Sequence, residues 1–416
     1  MRVQPREPEV IEEVRGPSKV WGVLLLAAGL AFLALRAGVG YAAVAVGIIF
    51  FIFMHELGHY LTAKWAGMKV TEFFIGFGPR LWSFRRGETE YGVKAIPAGA
   101  YVRIIGMSNL EDDVEPSDEE RTYRSKPYWR RLSVAVAGST MHFLMALVLI
   151  YGILVGFGDQ AEDRWRVASL SDPSGALEAG VQLGDRIVAI DGQRVETFEE
   201  MSEIVRELPG ETVTLDVVRD GEALTLEATL GDENPSTGQK GVGFLGIGRE
   251  YPYERVDPVT AIGRSVTESI DFGKEAIGGL AHIFSPSGVR GYVDTLANPD
   301  ADGSGGADVT EDRPSSIIGV VQIGGQVAER GLVNVFWLMF AFNIFIGIFN
   351  LVPLLPFDGG HVAIATYEKI RSMMSGRRYQ ADVAKLLPLT YAVVLVMALL
   401  FVTTIYLDIA HPVDVN

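Results

Sequence analysis

Long apolar runs constrain this 416-residue chain more than any other feature in it. Ala37–Met54, Leu132–Phe157, Leu332–Leu355 and Leu386–Leu407 are each long enough, or nearly so, to cross a hydrocarbon layer roughly 30 Å thick. Lipid offers no partner to backbone N–H and C=O groups, so such runs must be helical. A shorter run, Val20–Leu35, precedes them. A cleaved leader would carry a basic flank and a polar cleavage region. Here the first nineteen residues hold as many acids as bases, and no polar stretch follows, so five spans are expected. Lys and Arg favour the cytoplasmic side. Bases crowd Lys64–Arg131 and Lys369–Lys385, which places both segments inside. Asp and Glu outnumber Lys and Arg from Asp159 to Arg255, which places that region outside.

The expected order follows: a tail (1–19), a first span (20–36), a second (37–66), a loop (67–131), a third span (132–158), an external domain (159–256), a linker region (257–331), a fourth span (332–360), a cytoplasmic loop (361–385), a fifth span (386–408) and a tail (409–416). The fold class is a polytopic α-helical membrane protein with one β-hairpin segment and one α+β domain. Within the loop, Lys69–Phe77, Arg80–Arg86, Tyr91–Ile96 and Ala100–Ile105 are rich in aromatic and β-branched residues. Gly-Pro, Gly-Glu and Pro-Ala-Gly breaks separate them, which reads as successive hairpins. The acidic stretch Glu111–Glu120 reads as a solvated linker. In the external domain, Asp191-Gly192 and Asp220-Gly221 mark turns between strands, while Phe198, Met201, Val205 and Leu208 recur at helical spacing. From Pro258 to Phe284, Ile262, Val266, Ile270, Ile277, Leu280 and Phe284 fit one helix face. The Gly/Asp/Ser-rich Ser285–Ser316 reads as mobile.

The net charge of −16 argues against nucleic-acid binding, which needs a basic footprint. Cysteine is absent, so any metal site must use carboxylates and some of the six histidines. His55-Glu56-Leu57-Gly58-His59 supplies two of them four residues apart, on one face of a helix, with Glu56 beside them. From Tyr41 to His55 is about 20 Å of helix at 1.5 Å per residue, so the motif sits within the hydrocarbon layer near its cytoplasmic side. Ionisable groups at that depth are costly unless they bind something or line a wet cavity. Zinc suits the set, because imidazole and carboxylate ligands leave a fourth position for water, whose proton Glu56 would take. Soluble HExxH proteases with a third His six residues on would need one at position 65, where Trp65 stands. The remaining intramembrane candidate is Asp358, in Asn350-Leu-Val-Pro-Leu-Leu-Pro-Phe-Asp358-Gly-Gly. Its prolines break the helix and let a carboxylate face a cavity at the same depth.

HELGH within a span and NLVPLLPFDGG in a later one resemble the site-2 protease family of intramembrane zinc metalloproteases. The block GALEAGVQLGDRIVAIDGQRV resembles a bacterial PDZ domain, with GVGFLGI (241–247) as its carboxylate-binding strand. That single PDZ domain and GFGPRLWSFRRGETEYGVKAIPAGAYVRIIGM point to the family's bacterial branch, which cleaves anti-sigma factors and similar single-span proteins in regulated intramembrane proteolysis. The resemblance covers roughly residues 41–408. It implies a multi-pass protein of the bacterial inner membrane in which His55, His59 and Asp358 bind zinc, Glu56 is the base and Asn350 steadies the substrate carbonyl or oxyanion. It also implies that segment 70–105 is a membrane-re-entrant β-loop presenting substrate as a strand, and that the PDZ domain meets a pre-trimmed substrate or its C-terminus. Where the family often has Gly-Pro-x-x-Asn, this chain has Gly138-Ser-Thr-Met-His142, and His142 reads as a cavity-lining or hydrogen-bonding residue.

Two other classes compete. In a non-catalytic membrane adaptor the PDZ domain alone would act, which the intact His55, Glu56, His59 and Asp358 argue against. A metal transporter would want polar groups along a through-path, whereas here they gather at one depth.

Overall fold

The structure is a computed structural model that describes residues 19–107, 114–160, 164–235, 239–297 and 314–412. The tail 1–18, residues 108–113 with the start of the acidic linker, and residues 298–313 of the Ser285–Ser316 segment lie outside the described residues. The chain divides into two compact units, one of residues 1–146, 317–402 and 414–416, the other of residues 147–316 and 403–413.

Along the chain, the first unit contains helices α1 (Lys19–Arg36) and α2 (Val39–Trp65), strands β1 (Val70–Arg86) and β2 (Thr89–Ile104), a 3₁₀ turn (Pro116–Arg121), α3 (Tyr128–Ala135) and the first half of α4 (Ala137–Gly156). After the second unit's elements come α9 (Ile317–Glu329), α10 (Leu332–Asn350), α11 (Asp358–Ser375) and most of α12 (Leu387–Ala410). Among the described residues four helices are long and apolar enough to cross a membrane: α2, α4, α10 and the stretch Val383–Ala410 that contains α12. The expected first span forms the 18-residue helix α1.

The third apolar run is not one helix, since α3 stops at Ala135 and α4 starts at Ala137. Thr140 Oγ1 bonds back to the Val136 carbonyl at 2.8 Å, a contact that bends helices by competing with the backbone ladder. The fourth run ends at Asn350, and Asp358 opens a separate helix, so α11 occupies most of the stretch read as a loop. Arg131 on α3 pairs with Glu368 on α11 at 2.5 Å, the two side chains only 12% and 6% exposed. The Tyr123 ring lies 5.0 Å from the Arg131 guanidinium, so the pair is covered as well as bonded. Small residues seat α9 on the start of α2: a Cβ at Gly40 would lie 2.5 Å from Ala328 Cβ, and one at Gly324 would lie 2.8 Å from Val44.

The four short strands expected of the loop appear as halves of two long bent ones. β1 and β2 pair antiparallel, with Val70 opposite Ile104 and Ile75 opposite Ala100. Arg80–Arg86 registers against Thr89–Lys94, with Arg86 opposite Thr89. Glu72–Ile75 also registers against Glu90–Val93, ascending on both strands. The sheet order is therefore 100–104, 70–77, 89–96, 80–86, which differs from a run of successive hairpins. Both outer segments are edges. Gly76 and Gly78, at φ 86° and 82°, provide the left-handed backbone on which β1 turns.

The second unit begins with the C-terminal half of α4 and continues with β3 (Asp159–Gln160), β4 (Arg166–Leu170), α5 (Gly175–Glu178), β5 (Arg186–Ile190), β6 (Gln193–Arg194), α6 (Phe198–Arg206), β7 (Thr212–Arg219), β8 (Glu222–Thr229), β9 (Gly231–Asn234), β10 (Gln239–Phe244), β11 (Ile247–Glu250) and β12 (Tyr253–Glu254). The helices α7 (Pro258–Ile283) and α8 (Pro286–Ala297) complete it, with the end of α12. Thus part of the segment read as mobile is helical. The sheet β6-β5-β7-β8 covers a core that includes Trp165, Ile187, Met201, Leu215 and Leu245. Thr197 and Glu200 cap α6 reciprocally, satisfying two of its free N–H groups.

One acid lies inside this domain. Asp185 is fully buried, and both its oxygens accept from Arg219, at 2.7 Å each. Burial works to raise its pKa, but Arg219 and the Gln182 amide outweigh burial and hold the carboxyl below the usual range. A depressed folded-state pKa stabilises above the unfolded value of about 3.9 and ceases to do so as pH falls through the folded value. Asp185→Asn should therefore make the domain easier to digest by limited proteolysis near neutral pH. The gap from the parent chain should close below about pH 4. A gap independent of pH would mean that the ion pair is not its source.

Candidate active site

Helix α2 brings His55 and His59 to one face at (i, i+4), six residues before its C-terminal end at Trp65. Asp358 reaches the same point from the first turn of α11. Its Oδ2 lies 3.1 Å from His59 Nε2 and 3.5 Å from His55 Nε2, and the two Nε2 atoms are 3.2 Å apart. One ligand atom from each of the three residues falls within 4.8 Å of the others.

The tautomer of His59 is fixed by its other nitrogen. Nδ1 lies 2.8 Å from the Val134 carbonyl, which can only accept, so Nδ1 carries the proton. Nε2 is then a lone pair aimed at a carboxylate oxygen and at a second imidazole nitrogen. A cation placed among these three atoms would satisfy all of them at once. Two imidazole nitrogens and one carboxylate oxygen form a donor set that zinc accepts with one position open, and a backbone carbonyl orienting a ligand His is the usual outer support.

Close backbone approach makes room for the cluster. A Cβ at Gly138 would overlap the His55 ring, and one at Gly58 would lie 2.6 Å from Met141 Cγ and 2.8 Å from the Ala137 carbonyl. On α11, side chains at Gly359 and Gly360 would collide with the backbone of Leu351–Leu355, so the two glycines let that loop fold back over the helix start. The Gly of HELGH and the Gly-Gly after Asp358 are thus packing requirements of the same site.

Glu56 belongs to another face of α2. Phe53, Glu56 and Tyr60 share it, and the ring of Phe53 meets Phe73 of β1 edge-on at 5.5 Å, while Tyr60 OH lies 2.5 Å from Tyr91 OH. The Glu56 carboxylate lies near the backbone amide of Val102. That amide belongs to the edge segment 100–104, so the carboxylate lies between the converging ligands and a sheet edge. Asn350 is the last residue of α10 and is half-buried, eight positions ahead of Asp358 across the Leu351–Phe357 loop. His142 is buried, with Nδ1 2.9 Å from Asn343 Oδ1, and the Asn343 amide donates to the Met339 carbonyl at 2.7 Å. Its ring centroid is 5.1 Å from that of His55, and it stands outside the converging trio.

Sequence reasoning did not find the Val134 carbonyl, the Val102 amide or Asn343. All three act through long-range backbone or hydrogen-bond contacts that leave no local pattern. A polar Asn inside an apolar run was the one available signal for Asn343.

Comparisons with known proteins agree with this chemistry. The profile of peptidase family M50 matches residues 43–397. The zinc metalloprotease Rip1 of Mycolicibacterium smegmatis is 34% identical, over 91% of this chain and 99% of that protein. Rip1 of Mycobacterium tuberculosis is 33% identical, over 90% and 98%. A solved PDZ domain from the SdrC-like protein of Listeria monocytogenes aligns with 22% of this chain and 92% of its own, at 21% identity and a TM-score of 0.19. This chain belongs to peptidase family M50, the site-2 protease family, and is a zinc metalloprotease.

Proposed function

We propose that this protease hydrolyses a peptide bond inside the transmembrane segment of single-span membrane proteins, such as trimmed anti-sigma factors. In this reading His55, His59 and Asp358 hold the zinc, Glu56 is the general base, and the substrate docks as a strand on the edge 100–104. The observation that carries it is the convergence of three ligand atoms within 4.8 Å on helices of a membrane-spanning chain.

Zinc supplies a Lewis acid for the scissile carbonyl and lowers the pKa of water toward about 7. Val134 keeps His59 in the tautomer that presents Nε2. Glu56 takes the proton from the attacking water and returns it to the departing amine nitrogen. The Asn350 amide, at the end of α10, donates to the carbonyl oxygen as that oxygen gains charge. The sheet edge takes up the substrate's backbone groups as its helix unwinds, since every unpaired amide is costly in lipid. The excess of Lys and Arg in segments 64–131 and 369–385 supports a cytoplasmic position for the site and an outer position for the PDZ-like domain. There the domain acts as a size filter, and the groove between α6 and β10, lined by Phe198, Met201, Val205 and Phe244, suits a substrate segment or C-terminus.

Catalysis is tested by metal content and cleavage together. Glu56→Gln should lower cleavage by about 10²–10⁴-fold while zinc stays bound, and His55→Ala, His59→Ala and Asp358→Ala should each lower zinc content. An active Glu56→Gln enzyme would remove Glu56 from the role of base.

Strand docking is tested at the edge. Proline at Val102 removes one edge donor beside Glu56, so cleavage should fall about tenfold or more with zinc retained. Full activity in that variant would exclude docking at this edge.

The filter is tested by deletion. Without Arg166–Gly248 the enzyme should cut longer, untrimmed substrates, and a cysteine at Glu222 of the intact Cys-free chain should react with a reagent added outside. An unchanged substrate range would reduce the domain to a spacer, and labelling only from inside would invert the topology.

A further inference from the structure

Helix α10 crosses the first unit with little in its sequence to fix its rotation. Between Val335 and Phe349, Asn343 is the one side chain carrying an amide, a hydroxyl or a charge. It is fully buried, and its amide N–H donates to the Met339 carbonyl at 2.7 Å, which leaves Oδ1 as the atom offered to other helices. His142 of α4, only 1% exposed, meets that oxygen with Nδ1 at 2.9 Å. An amide oxygen can only accept, so Nδ1 carries the proton and the bond has a single polarity. Four residues on, α10 comes closer still. A Cβ at Gly347 would lie 2.9 Å from the Phe143 ring and 3.2 Å from His142 Cβ. The two helices thus meet at a glycine beside one directed hydrogen bond, and a buried polar group that loses its partner is costly.

Both partners share a face with groups of the site. On α4, His142 lies one turn past Gly138, whose missing side chain admits the His55 ring, and the two imidazole centroids are 5.1 Å apart. On α10, Asn343, Gly347 and Asn350 fall at i, i+4 and i+7, which is one stripe of the helix. The converging ligands are secured without α10. His55 and His59 stand on α2, the Val134 carbonyl on α3, and Asp358 on α11, which the Arg131–Glu368 pair ties to α3. Asn350, by contrast, is placed by α10 itself, as the last residue of that helix.

We infer that the His142–Asn343 bond is a pin that sets the rotation of α10 and so turns Asn350 toward the metal ligands, which makes His142 a positioning residue for the reaction. The inference rests on the proposed role of Asn350 at the carbonyl oxygen. In the proposed topology α4 runs outward and α10 inward, so Asn350, one turn beyond Gly347, comes level with the Gly138 turn and the His55 ring. Rotation of α10 by the angle of a single residue, about 100°, carries Asn350 off that face. In this scheme His142 acts only through Asn350.

Two measurements test the pin, one of them without catalysis. Asn350→Cys supplies the only thiol in the chain, and its reaction with a charged methanethiosulfonate is timed in detergent micelles after 1,10-phenanthroline has removed zinc. His142→Leu should slow that reaction several-fold. His142→Asn, whose amide N–H stands where Nδ1–H stood, should restore it. Equal rates in all three backgrounds would overturn the pin. In cleavage of a quenched fluorogenic Leu/Ala transmembrane peptide, His142→Leu should lower kcat about tenfold, with KM and zinc content unchanged. The double variant His142→Leu/Asn343→Leu leaves neither polar partner stranded and should be just as slow, which separates positioning from stability. In an Asn350→Ala background, His142→Leu should cost nothing further. Independent, additive losses would overturn action through Asn350. A fully active Asn350→Ala enzyme would overturn the proposed role of Asn350 and with it the catalytic purpose of the pin, whose existence the thiol rates decide alone.

Discussion

A Cβ on Gly58 would come within 2.6 Å of α4 side-chain atoms, and one on Gly138 would enter the His55 ring, so α2 and α4 meet almost backbone to backbone. The rest of the site depends on that approach. It brings the α3–α4 junction close enough for the Val134 carbonyl to accept a hydrogen bond from the Nδ1–H of His59. Fixing that proton turns Nε2 toward Asp358 from a helix otherwise 299 residues away in sequence. In lipid such a cluster of ionisable groups is costly unless its members are oriented and bind something, and small residues at helix crossings are how membrane proteins gain that proximity. Alanine, the usual conservative replacement for glycine, would be anything but conservative at position 138.

The chemistry of the site was legible in the sequence, and its support was not. Two histidines four residues apart share a helix face whatever surrounds them, so His55 and His59 could be paired by spacing alone. Asp358 followed from chemistry and the breaking effect of Pro353 and Pro356, because lipid leaves few explanations for a carboxylate beside broken helix. The residues that hold these side chains announce nothing locally. Val134 contributes a carbonyl, which every residue has, and Val102 an amide. His142 stood out only as a departure from a family pattern, and its partner Asn343 lies 201 positions away.

The errors in the fold share one cause. Hydrophobic periodicity reports which residues avoid water and says little about where a helix stops or which strand neighbours which. The run Leu132–Phe157 is continuous in hydropathy yet breaks at Val136, where Thr140 competes for a backbone carbonyl. The four strands of the loop were found, but their order was misjudged, because hairpins were assumed from the turn residues alone. Pairing Glu72–Ile75 with both 100–103 and 90–93 puts the last segment at an edge, an outcome set by long-range closure. The apolar stripe of α7 was real, but the fold leaves Ile262, Val266, Ile270 and Ile277 exposed.

The sheet order bears on how a membrane protease can act at all. A transmembrane substrate arrives with its amides bonded along its own helix, and exposing a scissile carbonyl breaks several of those bonds at once. In water the solvent replaces them, and in lipid nothing does. An enzyme in this position must offer replacement partners in extended geometry, close to its catalytic groups. A sheet buried between other strands could not do so, since its backbone groups are taken. An edge can, and here the edge segment 100–104 brings the amide of Val102 near Glu56. The helix face bearing Glu56 packs through Phe53 and Tyr60 on the aromatic residues Phe73 and Tyr91 of the same sheet. Edge and carboxylate are therefore one rigid piece, and a strand laid on that edge would be held in register with Glu56 by packing that exists before the substrate arrives.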